Sequence, residues 1–415
     1  MNIKREDIDL TAPAGSFDSL MAAIQGGANS VYFGIEKLNM RARSSYNFTE
    51  DDLEKITGIC DKYNVKAYLT LNTVLYDSEL PRIREIINIA KKTGVHAVIV
   101  SDLAAIDYAR CAKMSVHIST QANVSNIESF KFFSKYADAI VMARELNLKQ
   151  ISDIAKYVIK DGILGPSGNF VKLELFVHGA LCMSVSGKCY LSLHEHNYSA
   201  NRGECLQDCR RTYTVRDKET GFELDIGNEY IMSPKDLCTI HFLDKILEAG
   251  VKVLKIEGRA RSPEYVKTVT ECYNEAINSC LAGTFTRDKT DNWTKKLSAV
   301  FNRGFWDGYY LGKKLGEWTD IYGSKATKRK IYIGKGMNYF DKIKVAEFIC
   351  EADTLNVGDE ILITGPTTGV IQTFVKEIRV DLKNVLQTTQ GQRFSIPVDQ
   401  IIRRSDKLFK IADAE

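Results

Sequence analysis

The chain has 415 residues, 44% hydrophobic and 26% charged, the balance of a globular protein with material for two or three domains or one barrel plus an extension. Its formal net charge of +3 does not mark a nucleic-acid binder. The opening MNIKREDIDL lacks the apolar centre of a signal peptide and no apolar run reaches the length of a membrane span, so the expected setting is the cytoplasm, without membrane attachment.

Short β-branched runs alternate with helical patterns from the start. DLTAPA (9–14) leads into a helix from about Ser16, and SVYFGI (30–35) follows. NFTEDDLEKITGICDKY (47–63) reads as a helix with Thr49 as N-cap and acidic residues in its first turn. KAYLTLN (66–72) precedes the helix SELPRIREIINIAKKTG (78–94), which ends on Gly94. AVIVSD (97–102), SVHISTQA (115–122) and AIVMARE (139–145) continue the alternation, and KLELFVHG (172–179) and KVLKIEG (252–258) complete eight strands. Nearly continuous apolar strands between amphipathic helices imply a parallel sheet buried on both faces. Eight of them predict an α/β fold of the TIM type, a (β/α)8 barrel, rather than an open doubly wound sheet.

The interval between the seventh and eighth strands is long. It carries a cysteine cluster and then a predicted helix, SPKDLCTIHFLDKILEAG (233–250). Loops after barrel strands build active sites, so this insertion falls on the functional face. The helix SPEYVKTVTECYNEAINSCLAG (262–283) ends the barrel region, expected over 1–283. Residues 284–327 read as a helical and then irregular connector, rich in aromatics and glycine. From 328 to 415 only short strand-like runs remain, among them KIKVAEFI, GDEILITG and GVIQTFVKEIRV, separated by turn signals, which predicts a small antiparallel β-barrel.

Four of the ten cysteines are spaced Cys182-x6-Cys189-x15-Cys205-x3-Cys209. In a reducing compartment clustered thiols favour metal binding or redox chemistry over disulfides. Four thiolates can hold a zinc ion or an iron–sulfur cluster, and this spacing, unlike either a zinc ribbon or a ferredoxin run, leaves both open. The neighbours Ser184, Ser186, Lys188, Arg210 and Arg211 are polar, which argues against a place in an apolar core. That core reading suits Cys60, Cys111, Cys272, Cys280 and Cys350 instead. Cys238 is near enough in sequence to substitute as a ligand. His194 and His196 in LHEHNY stand beside the cluster, with zinc chelation and simple solvent exposure equally open.

A second constellation lies at the strand ends, which converge on one pocket in this kind of barrel. Gln121, Glu145, His178 and Glu257 are the candidates there for catalysis. Asn72, Arg144 and Arg259, with Arg41 and Arg43 from NMRARSS after the second strand, are the candidates for substrate binding. The guanidinium fork suits carboxylate or phosphate recognition. No G-x-S-x-G elbow, H-E-x-x-H helix, P-loop or Rossmann glycine fingerprint is present.

The motifs LTAPAGSFDSLMAAIQGGANSVYFG, NMRARSSYNF, FVHGALCMSVSGKCYLS, NRGECLQDCRRTY, SPKDLC and LKIEGRARSPEYV together resemble the collagenase-like peptidases of family U32, over most of residues 9–312. The C-terminal segment is similar to the extension in the branch of prephenate-dependent tRNA uridine hydroxylases. The resemblance implies a [4Fe–4S] cluster on Cys182, Cys189 and Cys205, with Cys209 as fourth ligand and Cys238 in reserve. It implies oxygen-independent C5 hydroxylation of a wobble uridine in tRNA, with prephenate as co-substrate, so that tRNA and a small dicarboxylate are the expected partners. A basic run, KATKRK (325–330), would help hold an RNA backbone. Two readings compete: a peptidase, as the family name suggests, and a zinc-stabilised RNA-binding protein without catalysis. A partner subunit and a homo-oligomer both remain open.

Overall fold

The computed structural model describes residues 4–36, 38–43, 47–214, 216–221, 232–313, 316–321 and 323–414. Residues 44–46 of the arginine-bearing stretch after the second strand therefore lie outside the described residues, as do 314, 315 and 322 of the connector.

The alternation in the sequence becomes a closed ring of parallel strands. These are β1 (Asp9–Pro13), β2 (Ser30–Gly34), β3 (Lys66–Leu71), β4 (Ala97–Val100), β5 (Val116–Ile118), β6 (Ala139–Val141) and β7 (Lys172–Gly179). A short extra strand, β8 (Asp236–Cys238), comes before β9 (Val253–Ile256), which closes the ring by pairing in parallel with both β7 and β1. The helices begin where capping chemistry permits. Ser16 accepts from the Ser19 backbone N–H at the head of Phe17–Gln25, and Asp102 caps Leu103–Cys111. Thr49 precedes a 3-10 turn, Glu50–Asp52, that runs into Leu53–Lys62. The apolar faces of these helices and the outward faces of the strands form one large core.

The predicted helix over 233–250 is only partly helical. Its first residues form β8, antiparallel to β7 through the pair His178↔Cys238, and the α-helix spans Leu243–Glu248. The cause is β7, which runs past the ring and leaves an edge there. β8 covers that edge, and β10 (Phe305–Trp306) pairs on its far side.

After the helices Pro263–Leu281 and Arg287–Ala299 the chain builds a second sheet. It consists of β11 (Lys328–Phe340), β12 (Val345–Cys350), β13 (Glu360–Gly365), β14 (Gly369–Phe374), β15 (Ile378–Val380), β16 (Lys383–Val385), β17 (Arg393–Pro397) and β18 (Lys407–Asp413). All its pairings are antiparallel, in the order β14-β13-β18-β11-β12-β17-β15-β16, with no ladder joining the end strands β14 and β16. Alternating inward residues such as Ala346, Phe348 and Cys350 fill a core of its own. The sheet docks on the barrel's helices, where Gln25 pairs with the Thr368 carbonyl and the Val370 N–H, each at 2.9 Å.

Candidate functional site

The ends of the barrel strands and the loops after them enclose one cavity. Two loops bring the cysteines to it, from opposite sides of the long insertion. Arg210 ties them together: its Nη2 donates to the Leu181 carbonyl beside Cys182 at 2.8 Å, and its Nη1 to the Pro234 carbonyl at 2.7 Å. Ser192 Oγ donates to Asp208 Oδ2 at 2.8 Å and accepts from the Leu206 N–H at 3.0 Å, which fixes the second loop from below. Two glycines permit the close approach of these loops to the rim. Gly187 has φ +74°, and a Cβ there would stand 2.2 Å from Gln121 Oε1; Gly203 has φ +83°, with the Asn39 carbonyl oxygen equally close to where its Cβ would be.

Cys182, Cys189, Cys205 and Cys209 all line this cavity. Burial raises the Cys205 thiol and pushes Cys209 up to about 11, so ligation there would have to displace protons. Cys238 does not line it. It is buried on β8 behind the ring, its thiol pushed up to about 12 by burial. No three of the four cavity sulfurs lie within 4.8 Å of one another; the one such group of ligand atoms among the described residues is Glu195, His196 and Asp208. His196 stands 3.7 Å from Asp208 Oδ1, whereas His194 is exposed and apart from them.

Cations dominate the rest of the wall. Arg41, Arg144, Arg210, Lys255, Arg259, Arg261 and Arg303 face a single carboxylate, Glu257. Arg41 grips that carboxylate through Nε at 3.1 Å and Nη2 at 2.8 Å, both to Oε1, while the Tyr32 hydroxyl donates to Oε2 at 3.0 Å. Burial opposes ionisation of Glu257, but Arg41, Arg259 and Arg144 together outweigh it and hold the carboxyl down at about 2. Glu257 is thus a fixed anion that orients Arg41. Arg259 donates from Nη1 to Asn39 Oδ1 at 2.9 Å and Thr70 Oγ1 at 3.1 Å, and Arg144 lies over the Phe176 ring at 4.1 Å. The Nε atoms of both are buried without a hydrogen-bond acceptor, and Gln121 Oε1 is buried without a donor. Asn72 bridges the wall, donating to Ser119 Oγ and accepting from the Met40 N–H. The guanidinium groups of such a surface can pair with anionic groups.

Of the residues proposed from sequence, the cavity brings together the four cysteines, Arg41, Asn72, Gln121, Arg144, Glu257 and Arg259. Three others lie outside it. Glu145 lies with Arg144 in the turn after β6, which ends at Val141, and its side chain is exposed. Arg43 supports the cysteine loop instead, with its guanidinium 4.2 Å over Tyr198 and its N–H donating to the Gly203 carbonyl. His178 should face inward by alternation from Glu174 and Phe176, but a register shift between Phe176 and His178 turns it behind the ring. There it packs among Tyr265, Tyr273 and Phe305, and burial, helped by Arg261, pushes it down to about 3. The sequence reading missed Tyr32, Lys255, Arg261 and Arg303. Lys255 was visible as a charge in the middle of an apolar barrel strand.

The model of peptidase family U32 matches residues 15–320 of the chain. A Porphyromonas gingivalis protein named collagenase is 57% identical over 415 residues, 100% of both chains. The tRNA hydroxylation protein P1 of Bacillus subtilis is 28% identical over 366 residues, 86% of this chain and 83% of that one. The 23S rRNA 5-hydroxycytidine C2501 synthase of Escherichia coli is 31% identical over 324 residues, 76% of this chain and 47% of its own length. No helix among the described residues is long and apolar enough to cross a membrane.

Proposed function

The chain belongs to peptidase family U32, and from that premise we propose that it is an RNA-modifying enzyme. The reaction is the oxygen-independent C5 hydroxylation of a wobble uridine in tRNA, with a [4Fe–4S] cluster on Cys182, Cys189, Cys205 and Cys209 and prephenate as the small acid. One observation carries this reading: four thiols and a wall of arginines share one cavity at the mouth of the barrel.

The donor set suits such a cluster. A tetrahedral zinc site with arms of about 2.3 Å needs sulfurs roughly 3.8 Å apart, whereas a cluster spreads its ligands over separate irons. Four cysteines lining one cavity could supply such a set of ligands. When bound, the cluster would supply one-electron transfer or an iron site for activating an oxygen-bearing group. The chain's own residues do the rest. Arg144 and Arg259 present buried donors to the acid, Arg41 is held in register by Glu257 and Tyr32, and Gln121 offers an unpaired acceptor to a nucleobase or co-substrate. A cytoplasmic setting would keep these thiols reduced and available as ligands.

Relatives named collagenase keep the peptidase reading in view. A cysteine peptidase would need a base beside its thiol, yet no histidine lines the cavity among the described residues. Two measurements test the proposal. Anaerobically purified protein should be brown, and colourless protein with stoichiometric zinc would overturn the cluster. Nucleoside mass spectrometry of tRNA from a strain lacking the gene should show loss of 5-hydroxyuridine; an unchanged pool would reject the assignment.

A further inference from the structure

Barrels of this kind usually fill their interior with layers of branched aliphatic side chains. Here β9 places Lys255 inside, 3% exposed, with its Nζ donating to Glu174 Oε1 of β7 at 2.6 Å. Glu174 is itself 1% exposed. A buried ion pair is a weak source of stability, and this one is incompletely satisfied. Glu174 Oε2 has no hydrogen-bond donor, and His117 Nδ1, 3.8 Å away, has no partner either. An apolar pair would fill the same space without these orphans.

The ammonium has three donors, and Glu174 is the one hydrogen-bond acceptor it meets among the described residues. Its other neighbours are ring faces, Tyr32 at 4.6 Å and Phe176 at 5.7 Å. Lys255 also lines the cavity, beside Arg144 on the same Phe176 ring and near Arg259. Arg144 and Arg259 each bury an Nε without an acceptor, and Lys255 meets one acceptor for its three donors; all three side chains line the cavity.

We propose that Lys255 is a substrate-contacting residue whose ammonium donates to a carboxylate oxygen of the small acid held by Arg144 and Arg259, with Glu174 as the positioning residue that aims it. This rests on the reading of the cavity as a site for a small acid. Glu174 and the two rings immobilise a side chain that would otherwise sample many rotamers, so the charge is in place before the ligand arrives.

Calorimetric titration of the full-length, cluster-loaded protein with prephenate tests this. Lys255→Met should weaken binding by about tenfold or more, the loss of one charge-assisted hydrogen bond. Lys255→Arg should retain most of the affinity, and Glu174→Gln should fall between. A merely structural role would lower the melting temperature and leave the affinity of the folded fraction unchanged. Wild-type affinity in Lys255→Met, or in Lys255→Gln should the first variant not fold, would overturn the proposal. So would a wild-type protein that takes up no prephenate. Lys255-dependent binding together with an unchanged 5-hydroxyuridine pool would reject the tRNA reaction and leave this inference standing.

Discussion

The two interiors of this molecule are built differently. The C-terminal sheet is filled by Ile333, Phe348, Leu355, Ile361, Phe394 and their neighbours, with Phe348 and Phe394 stacked at 5.8 Å. Inside the barrel, Tyr32, Tyr68, Ala97 and Ile99 form a small apolar cluster. Around it Ser30 donates to Asp9 at 2.6 Å, Tyr68 donates to Asp9 at 3.0 Å, and Lys255 pairs with Glu174. Apolar packing supplies stability at little risk, whereas buried charge is costly and persists where it does something else. On the proposed function, the sheet interior serves folding and the buried charge of the barrel interior serves binding.

The contrast can be tested from its strongest consequence downward. Cys189→Ala should abolish cluster loading and hydroxylation while leaving the melting of the C-terminal sheet unchanged; full loading, read by visible absorbance and iron content, would show the ligands to be wrong. Phe348→Ala should cost the sheet about 3–5 kcal/mol through the cavity it leaves. Denaturant melts monitored in each region should show cluster absorbance surviving the loss, and its disappearance would mean that the two interiors are not independent. The double change Lys255→Met with Glu174→Leu should leave stability equal or raise it, by up to about 4 kcal/mol, while prephenate binding weakens by about tenfold or more. A strongly destabilised double variant would contradict a binding role for the pair.

The smallest effect is one of pH. Burial holds folded His178 down at about 3, while an unfolded histidine titrates near ~6.5. Between those values the unfolded chain binds the extra proton, so stability should fall as the pH drops through this window. His178→Phe should reduce that slope in melts at pH 7 and pH 5, the remainder coming from buried His117, pushed down to about 4. No histidine lies in 328–415, so the slope should belong to the barrel alone.

The barrel strands were legible because each is an apolar run bounded by helix signals, and the cysteines because four thiols gather in one insertion. Glu145 lies in the turn after β6, where strand alternation no longer applies, so closeness to the strand end did not make it face the cavity. His178 obeys parity in the sequence, and only the shift in the β7–β9 pairing removes it. The helix expected at 233 was shortened by an edge that exists only once β7 overruns the ring.

By itself the sequence determined the barrel, the sheet and the four thiols, since periodicity and residue chemistry are local properties of the chain. Only the tertiary structure decided that Cys209 and not Cys238 faces the cavity, that Arg41 is clamped by Glu257, and that Lys255 and Glu174 meet across the barrel. Those pairings join residues 81 and 216 positions apart or turn on which side of one strand a thiol lies, and ring closure sets both.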